Sequence, residues 1–195
     1  MAPRIVLVAH AATSATRRVA FGVDEEIDSG QVTAPVPVRA GVRLAGPELR
    51  CRQTASALGW DVEVDDDYAD LDAGRWTGLE LGELFAAEPD SMMAWLHYPD
   101  TRPDGGESLV DVMTRVGAAL DARTWPDGRS VVVTSPLVVR AALVHLLGAP
   151  PSLLFAVDVA PLSATVVTGY GGSWKLRGLL PWGTWNVKDG ARSPL

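Results

Sequence analysis

Hydrophobic positions along this chain fall into short unbroken runs and longer 3.6-residue periodicities, and the two alternate. Ile5-Val6-Leu7-Val8 leads through Ala9 into His10, and Val131-Val132-Val133 leads through Thr134 into Ser135. Runs of this length, rich in β-branched residues, predict strands buried on both faces. Leu109, Val112, Met113, Val116, Ala119 and Leu120 recur at helical spacing and predict an amphipathic helix from about Ser108 to Arg123. A second helix is predicted from Leu137 to Leu147, closed by Gly148 and Pro150, and a shorter one from Arg50 to Leu58, stopped at Gly59. Ala164–Val167 and Trp174–Leu180 flank Gly171-Gly172 and predict a late hairpin. Pro35 and Pro37 exclude a regular helix between Gly30 and Leu44, leaving extended chain. From 66 to 103 the pattern breaks into an excursion with two short helical stretches, which predicts a cap over one end of the sheet. Strands alternating with helices imply a mainly parallel sheet covered on both faces, in one domain spanning 1–195, with 181–195 as a C-terminal tail.

Composition narrows the partners. Of 195 residues, 47% are hydrophobic and 21% charged, enough for a substantial core. A formal net charge of -7 disfavours nucleic acid and anionic membrane surfaces, both of which reward Lys/Arg clusters. The acidic runs Asp24-Glu25-Glu26 and Asp65-Asp66-Asp67 are expected to be solvated loops. The single cysteine, Cys51, excludes an internal disulfide and fits a reducing, cytoplasmic setting. Its neighbours Arg50 and Arg52 could lower its pKa, against the plainer expectation of a small packed residue. The three histidines and one cysteine lie far apart, so no metal centre is expected, and no nucleotide-binding glycine signature suggests a cofactor. Most of the seven tryptophans are expected to pack in the core.

In open parallel sheets, ligands bind at the carboxyl ends of strands. That rule alone puts His10 and Ser135 at one site.

The order of motifs resembles the histidine phosphatase superfamily, the phosphoglycerate-mutase-like proteins. "LVAH" stands where that family has its strand-end Arg-His-Gly, and "LRCRQTASALG" is similar to its second arginine motif, with Arg50 at the phosphate-binding position. "YADLDAGRWTG" resembles the segment carrying the family's acid, with Asp70 in place of the usual Glu. "PDGGESLVDVMTRV" resembles the Gly-Glu-Ser motif and gives Glu107; "VVVTSPLVVRAAL" resembles the strand and helix of the second histidine. The resemblance, which covers about residues 5–180, implies a three-layer α/β/α fold. It further implies a first histidine that attacks a phosphoryl group among two arginines and a second histidine, with a carboxylic acid protonating the leaving oxygen.

Three positions depart from that pattern. The first arginine is Ala9, the following glycine is Ala11, and the second histidine is Ser135. A transferring phosphoryl group carries charge on three oxygens, so positioned cations supply most of its stabilisation. Each missing charged contact costs about 2–4 kcal/mol, and two together slow transfer roughly 10³-fold. Arg17, Arg18 and Arg140 are candidate substitutes. His97, in the excursion, could hang over the pocket, although a structural role is the plainer expectation.

The leading expectation is a repurposed enzyme of hydrolase or lyase type. It would act on a small-molecule metabolite, with His10 as acid or base, Asp70 or Glu107 as its counterpart, and Ser135 as a donor or a nucleophile. Arg50, Arg17, Thr13 and Trp76 are its expected substrate contacts. A catalytically silent binding protein and a weak phosphomonoesterase through phospho-His10 are the alternatives. No cofactor, nucleic acid or membrane is expected to take part, and a homodimer is left open.

Overall fold

The computed structural model describes residues 2–103, 105–182 and 184. A six-stranded sheet has the order β3-β2-β4-β1-β5-β6. Its strands are β1 (Pro3–Ala9), β2 (Val42–Ala45), β3 (Glu63–Val64), β4 (Gly128–Thr134), β5 (Ala164–Tyr170) and β6 (Ser173–Leu180). β1, β4, β2 and β3 run parallel, while β5 lies antiparallel to β1 and β6 antiparallel to β5. The parallel part places the carboxyl ends of β1 and β4 side by side, with Ala9 opposite Thr134. The His10 amide extends the pairing by donating to the Thr134 carbonyl at 2.9 Å.

Alternation along β1 splits the core. Ile5, Leu7 and Ala9 face helices α5 (Leu109–Ala122) and α6 (Pro136–Leu146); Val6 and Val8 face α2 (Leu49–Ala57) and the loop carrying Val36 and Val38. Helices on both faces of a mostly parallel sheet make the expected three layers. Fully burying each such aliphatic side chain is worth about 1.5–3 kcal/mol, so this strand anchors the fold.

Predicted helices match observed ones within one or two residues. α5 starts at a capping box, in which Ser108 Oγ accepts from the Asp111 amide and the Asp111 carboxylate accepts from Ser108 N. α6 ends before Gly148, whose φ of +60° suits glycine. The late hairpin turns at Gly171 and Gly172, with φ of +57° and +79°. The stretch from Gly30 stays free of helix until β2 begins at Val42. β3 was not legible: it is two exposed residues long and lacks an apolar run.

The excursion contains short 3₁₀ turns at Asp66–Tyr68 and Gly74–Trp76, then α3 (Leu81–Ala87) and α4 (Pro89–His97). Phe21, Trp76, Trp95 and Phe155 pack ring against ring, with centroids 5.6–6.1 Å apart. Trp60, Trp76 and Trp95 are buried, as packing predicted. Most of the 181–195 tail lies outside the described residues. Among the described residues, no helix is long and apolar enough to cross a membrane.

Candidate active site

His10 leaves the end of β1 and is 4% exposed. Both ring nitrogens are engaged. Nδ1–H donates to the Ala11 carbonyl at 2.7 Å, and Nε2 accepts from Arg50 Nε–H at 3.1 Å. This pairing fixes the neutral tautomer with its lone pair on Nε2. Burial, assisted by the Arg50 charge, pushes the His10 pKa below its usual value against opposing help from the Ala11 carbonyl and Asp70.

Arg50 sits in the first turn of α2, under the carboxyl ends of the strands, and is itself buried. Every nitrogen of its guanidinium is occupied. Besides His10, Nη1 donates to the Val23 carbonyl at 2.7 Å and lies 3.5 Å from Asp24, while Nη2 donates to Asp70 at 2.7 Å. Asp24 also accepts from the Leu49 amide at 2.8 Å, so it holds the start of α2 as well as the guanidinium. Glu25, its neighbour, accepts from the Ala15 amide, and Asp65 pairs with Arg123 at 2.9 Å. Asp24, Glu26, Asp66 and Asp67 are exposed, as expected of solvated loops, while Asp24, Glu25 and Asp65 are also tied into the structure because each carboxylate meets a helix N–H or an arginine.

Asp70 approaches from the excursion. Its second oxygen accepts from the Leu71 amide at 2.8 Å, and its own amide donates to Glu48 at 2.6 Å. Glu107 does not line the His10 cavity. It pairs with Arg115 at 2.9 Å and accepts from the Asp72 amide at 3.1 Å, while the Glu107 amide donates to the Asp72 carbonyl at 2.8 Å. Arg115 in turn donates to the carbonyls of Asp67 and Ala69. The Glu107–Arg115 pair therefore braces the chain that carries Asp70. Gly106 permits this close approach: a Cβ there would stand 2.5 Å from the Asp72 carbonyl and 2.8 Å from Gly74 N.

Ser135 ends β4 beside His10, but its Oγ accepts from the Val138 amide at 3.2 Å as the N-cap of α6, with Pro136 following at N1. Thr13 lines the cavity and caps the five-residue helix α1 (Ser14–Arg18), accepting from the Thr16 amide at 3.1 Å. Arg17 is exposed and pairs with Asp28, outside the cavity; Arg18 pairs with Glu80 at 3.2 Å. Trp76 is buried in the aromatic cluster, outside the cavity lining. His97 is exposed and bonds the Met93 carbonyl at 2.9 Å. Cys51 is fully buried, and burial with the nearby Glu48 carboxylate drives its thiol pKa well up, outweighing Arg50.

Thr54 went unread in the sequence. It lies one helical turn beyond Arg50, donates to the Arg50 carbonyl at 2.7 Å and accepts from the Ala11 amide at 2.9 Å, locking the His10 loop onto α2. Its i,i+4 relation to Arg50 was the available signal. Arg115 and Glu48 were also missed, since nothing in their spacing announces a partner so far away in sequence.

Two hollows meet here. The His10 cavity encloses about 190 Å³. It shares Val19, Ala20, Gly22, Asp70 and Pro136 with a hollow of about 370 Å³ walled by Phe21, Leu71, Leu81, Trp95, Leu137 and Phe155. Arg140 stands at the edge of the larger hollow, with Nε donating to the Val157 carbonyl at 2.8 Å. Among the described residues, no cluster of three or more His, Cys, Asp or Glu could hold a metal.

Comparison with known proteins agrees with this fold. The sequence model of the Histidine phosphatase superfamily (branch 1) matches residues 29–180, beginning beyond β1 and α1. A bifunctional protein of Mycobacterium tuberculosis is 36% identical over 113 residues, covering 56% of this chain and 31% of that protein. The chain thus spans about a third of the length of that relative. Phosphoserine phosphatase 1 of Hydrogenobacter thermophilus is 30% identical over 124 residues, covering 61% of this chain and 58% of the relative. Among solved structures, a mycobacterial hydrolase superposes with a TM-score of 0.80 at 25% identity, over 93% of this chain and 99% of its own. A mycobacterial glucosyl-3-phosphoglycerate phosphatase superposes with a TM-score of 0.78 at 24% identity, over 91% and 98%.

Proposed function

Because the chain belongs to the histidine phosphatase superfamily, we propose that it is an enzyme of that fold whose site has turned from phosphoryl transfer to acid–base chemistry on a small metabolite of low negative charge. One observation carries this reading: each nitrogen of Arg50 is already bonded within the protein, and the one guanidinium stands between the carboxylates of Asp24 and Asp70. A phosphate dianion would have to displace those acceptors and face two carboxylates, with Ala9 and Ser135 where the family has a cation and a histidine. An uncharged or weakly anionic group meets no such opposition.

In the proposed chemistry, His10 Nε2 is the base. Burial keeps the ring neutral, its Nδ1–H bond to Ala11 holds the ring plane, and the substrate takes over the Nε2 lone pair from Arg50 Nε–H, which must let go of it first. Asp70 is the opposing acid–base partner, since it lines both hollows. Thr13 and the internally bonded Arg50 border the polar end of the substrate, and its apolar body occupies the aromatic-walled hollow. Glu107 acts as a positioning residue through Arg115. A cavity of about 190 Å³ is small for a ligand site, where about 300–1,000 Å³ is usual, so the adjoining hollow is required to house a metabolite.

Assaying p-nitrophenyl phosphate with the native chain and with His10→Ala tests the proposal. No His10-dependent turnover is expected; turnover that disappears in His10→Ala would establish the weak phosphomonoesterase instead. A thermal-shift panel of uncharged, monoanionic and phosphorylated metabolites then identifies the ligand class, with phosphorylated compounds expected to be the poorest. A binding-only role is the second reading, supported by the internal engagement of both His10 nitrogens. It is distinguished by a ligand that binds the native chain and His10→Ala alike and is released unchanged by both.

A further inference from the structure

At the opposite end of the sheet, arginines gather that form no ion pair among the described residues. Arg4 near the start of β1 lies directly across from Arg129 in β4 and from Thr168 in β5. Cross-strand partners project from the same face, so two arginines and a hydroxyl form one row. Arg39, from the loop before β2, completes an open cavity of about 610 Å³ with Pro37, Val38 and Thr168. Arg43 sits two residues further along on the same face, opposite Val131, and Arg43 Nη2 is 3.4 Å from the Val38 carbonyl.

Like charges directly opposite in a sheet are destabilising. Among the described residues, none of Arg4, Arg39, Arg43 and Arg129 forms an ion pair with a carboxylate. Buried side-chain atoms also lack hydrogen-bond partners there: Nε of Arg129, Nε of Arg43 and Oγ1 of Thr168. Burial and the charge of Arg4 lower the Arg129 pKa, as expected for a guanidinium that has lost water and gained only a cation beside it. Among the described residues, no Asp or Glu lines the cavity. In a chain of net charge -7, arginines such as Arg75, Arg102 and Arg123 do pair with carboxylates.

We propose that this row is a binding site for a small polyanion bearing adjacent phosphate groups, held by the guanidiniums of Arg4, Arg39 and Arg129 with Thr168 Oγ1 as a further donor. Arginine is suited to this role because its planar fork grips phosphate oxygens in pairs. The spacing favours two linked anionic groups over one: Arg4 and Arg129 come from neighbouring strands, about 4.8 Å apart, and Arg39 reaches in from the loop. The site is independent of the His10 cavity, because β1 separates Arg4 from His10 by about 20 Å of strand rise.

Inorganic pyrophosphate is the probe, compared with sodium chloride at matched ionic strength. The native chain is expected to gain roughly 3–6 °C in melting temperature at ten or more times the dissociation constant. Arg4→Gln with Arg129→Gln is expected to lose that gain while melting no lower than the native chain without the probe. Arg39→Gln, on an exposed loop, is expected to weaken pyrophosphate binding about 10-fold by calorimetry, roughly one charge-assisted pair. No gain in the native chain, or a gain that persists in the double variant, overturns the proposal. Should the double variant fail to fold, unchanged affinity in Arg39→Gln overturns it just as well.

Discussion

The two ends of the sheet handle positive charge in opposite ways. At the carboxyl end, one guanidinium is fully consumed by a histidine, a carbonyl and two carboxylates. At the amino end, three arginines line one hollow and none pairs with a carboxylate among the described residues. The difference teaches that a site for an anion is made by donors still free to give, since a bonded guanidinium must first break its existing contacts. On that criterion, the proposed reading makes the carboxyl end the poorer place for a phosphate.

The contrast can be broken at four points, in falling order of effect. Ala9→Arg with Ser135→His supplies the cation and the histidine that the family resemblance implies, and aryl-phosphate turnover should appear about 10²- to 10³-fold above the His10→Ala background. A folded double variant with no rise would mean that the saturation of Arg50, and not the two lost residues, is the barrier. Arg50→Ala leaves Asp70 and the His10 ring without their partner, and urea unfolding should show a loss of about 3 kcal/mol, the low end for a broken buried pair because Asp70 keeps some solvent. A loss below about 1 kcal/mol would reduce the whole cluster to surface-grade pairing.

The third point is pH. The His10 pKa is lowered in the folded state. Below the unfolded value, near 6.5, the unfolded chain binds the proton more readily, so His10 contributes stability above that pH and loses it as pH falls. The slope should approach about 1.4 kcal/mol per pH unit until the folded pKa is reached, and His10→Gln should flatten it. An equal slope in His10→Gln would assign the pH dependence to other groups. The smallest effect is Ser135→Ala, which should cost about 1 kcal/mol by removing an N-cap. A neutral result would show that its hydroxyl does not support α6.

The architecture was legible because buried strands and amphipathic helices leave their periods in the sequence: Val131–Thr134 and the Leu109–Leu120 pattern landed on β4 and α5. The motif order likewise located His10, Arg50 and Asp70, which the structure brings together. What escaped was direction. Arg17 follows the His10 loop closely, yet a carboxylate eleven residues on, Asp28, draws it outward. Glu107 carries the right motif but spends its charge on Arg115, a partner visible only once α5 packs. Ser135 looked like a strand-end hydroxyl, whereas Ser-Pro before an apolar helix is also a cap-and-N1 signature. Trp76 sits in a motif and serves the aromatic core.

Gly106 wedged against the Asp72–Gly74 backbone has a consequence for motion. The amides of Asp72 and Glu107 are each bonded across this junction, one to a side chain and one to a carbonyl. Neither segment can lift without releasing both, so their protons should exchange with solvent at one shared opening free energy. The loop bearing Asp70 would then breathe only as often as the start of α5 does, its tempo set by a helix that lies outside the cavity.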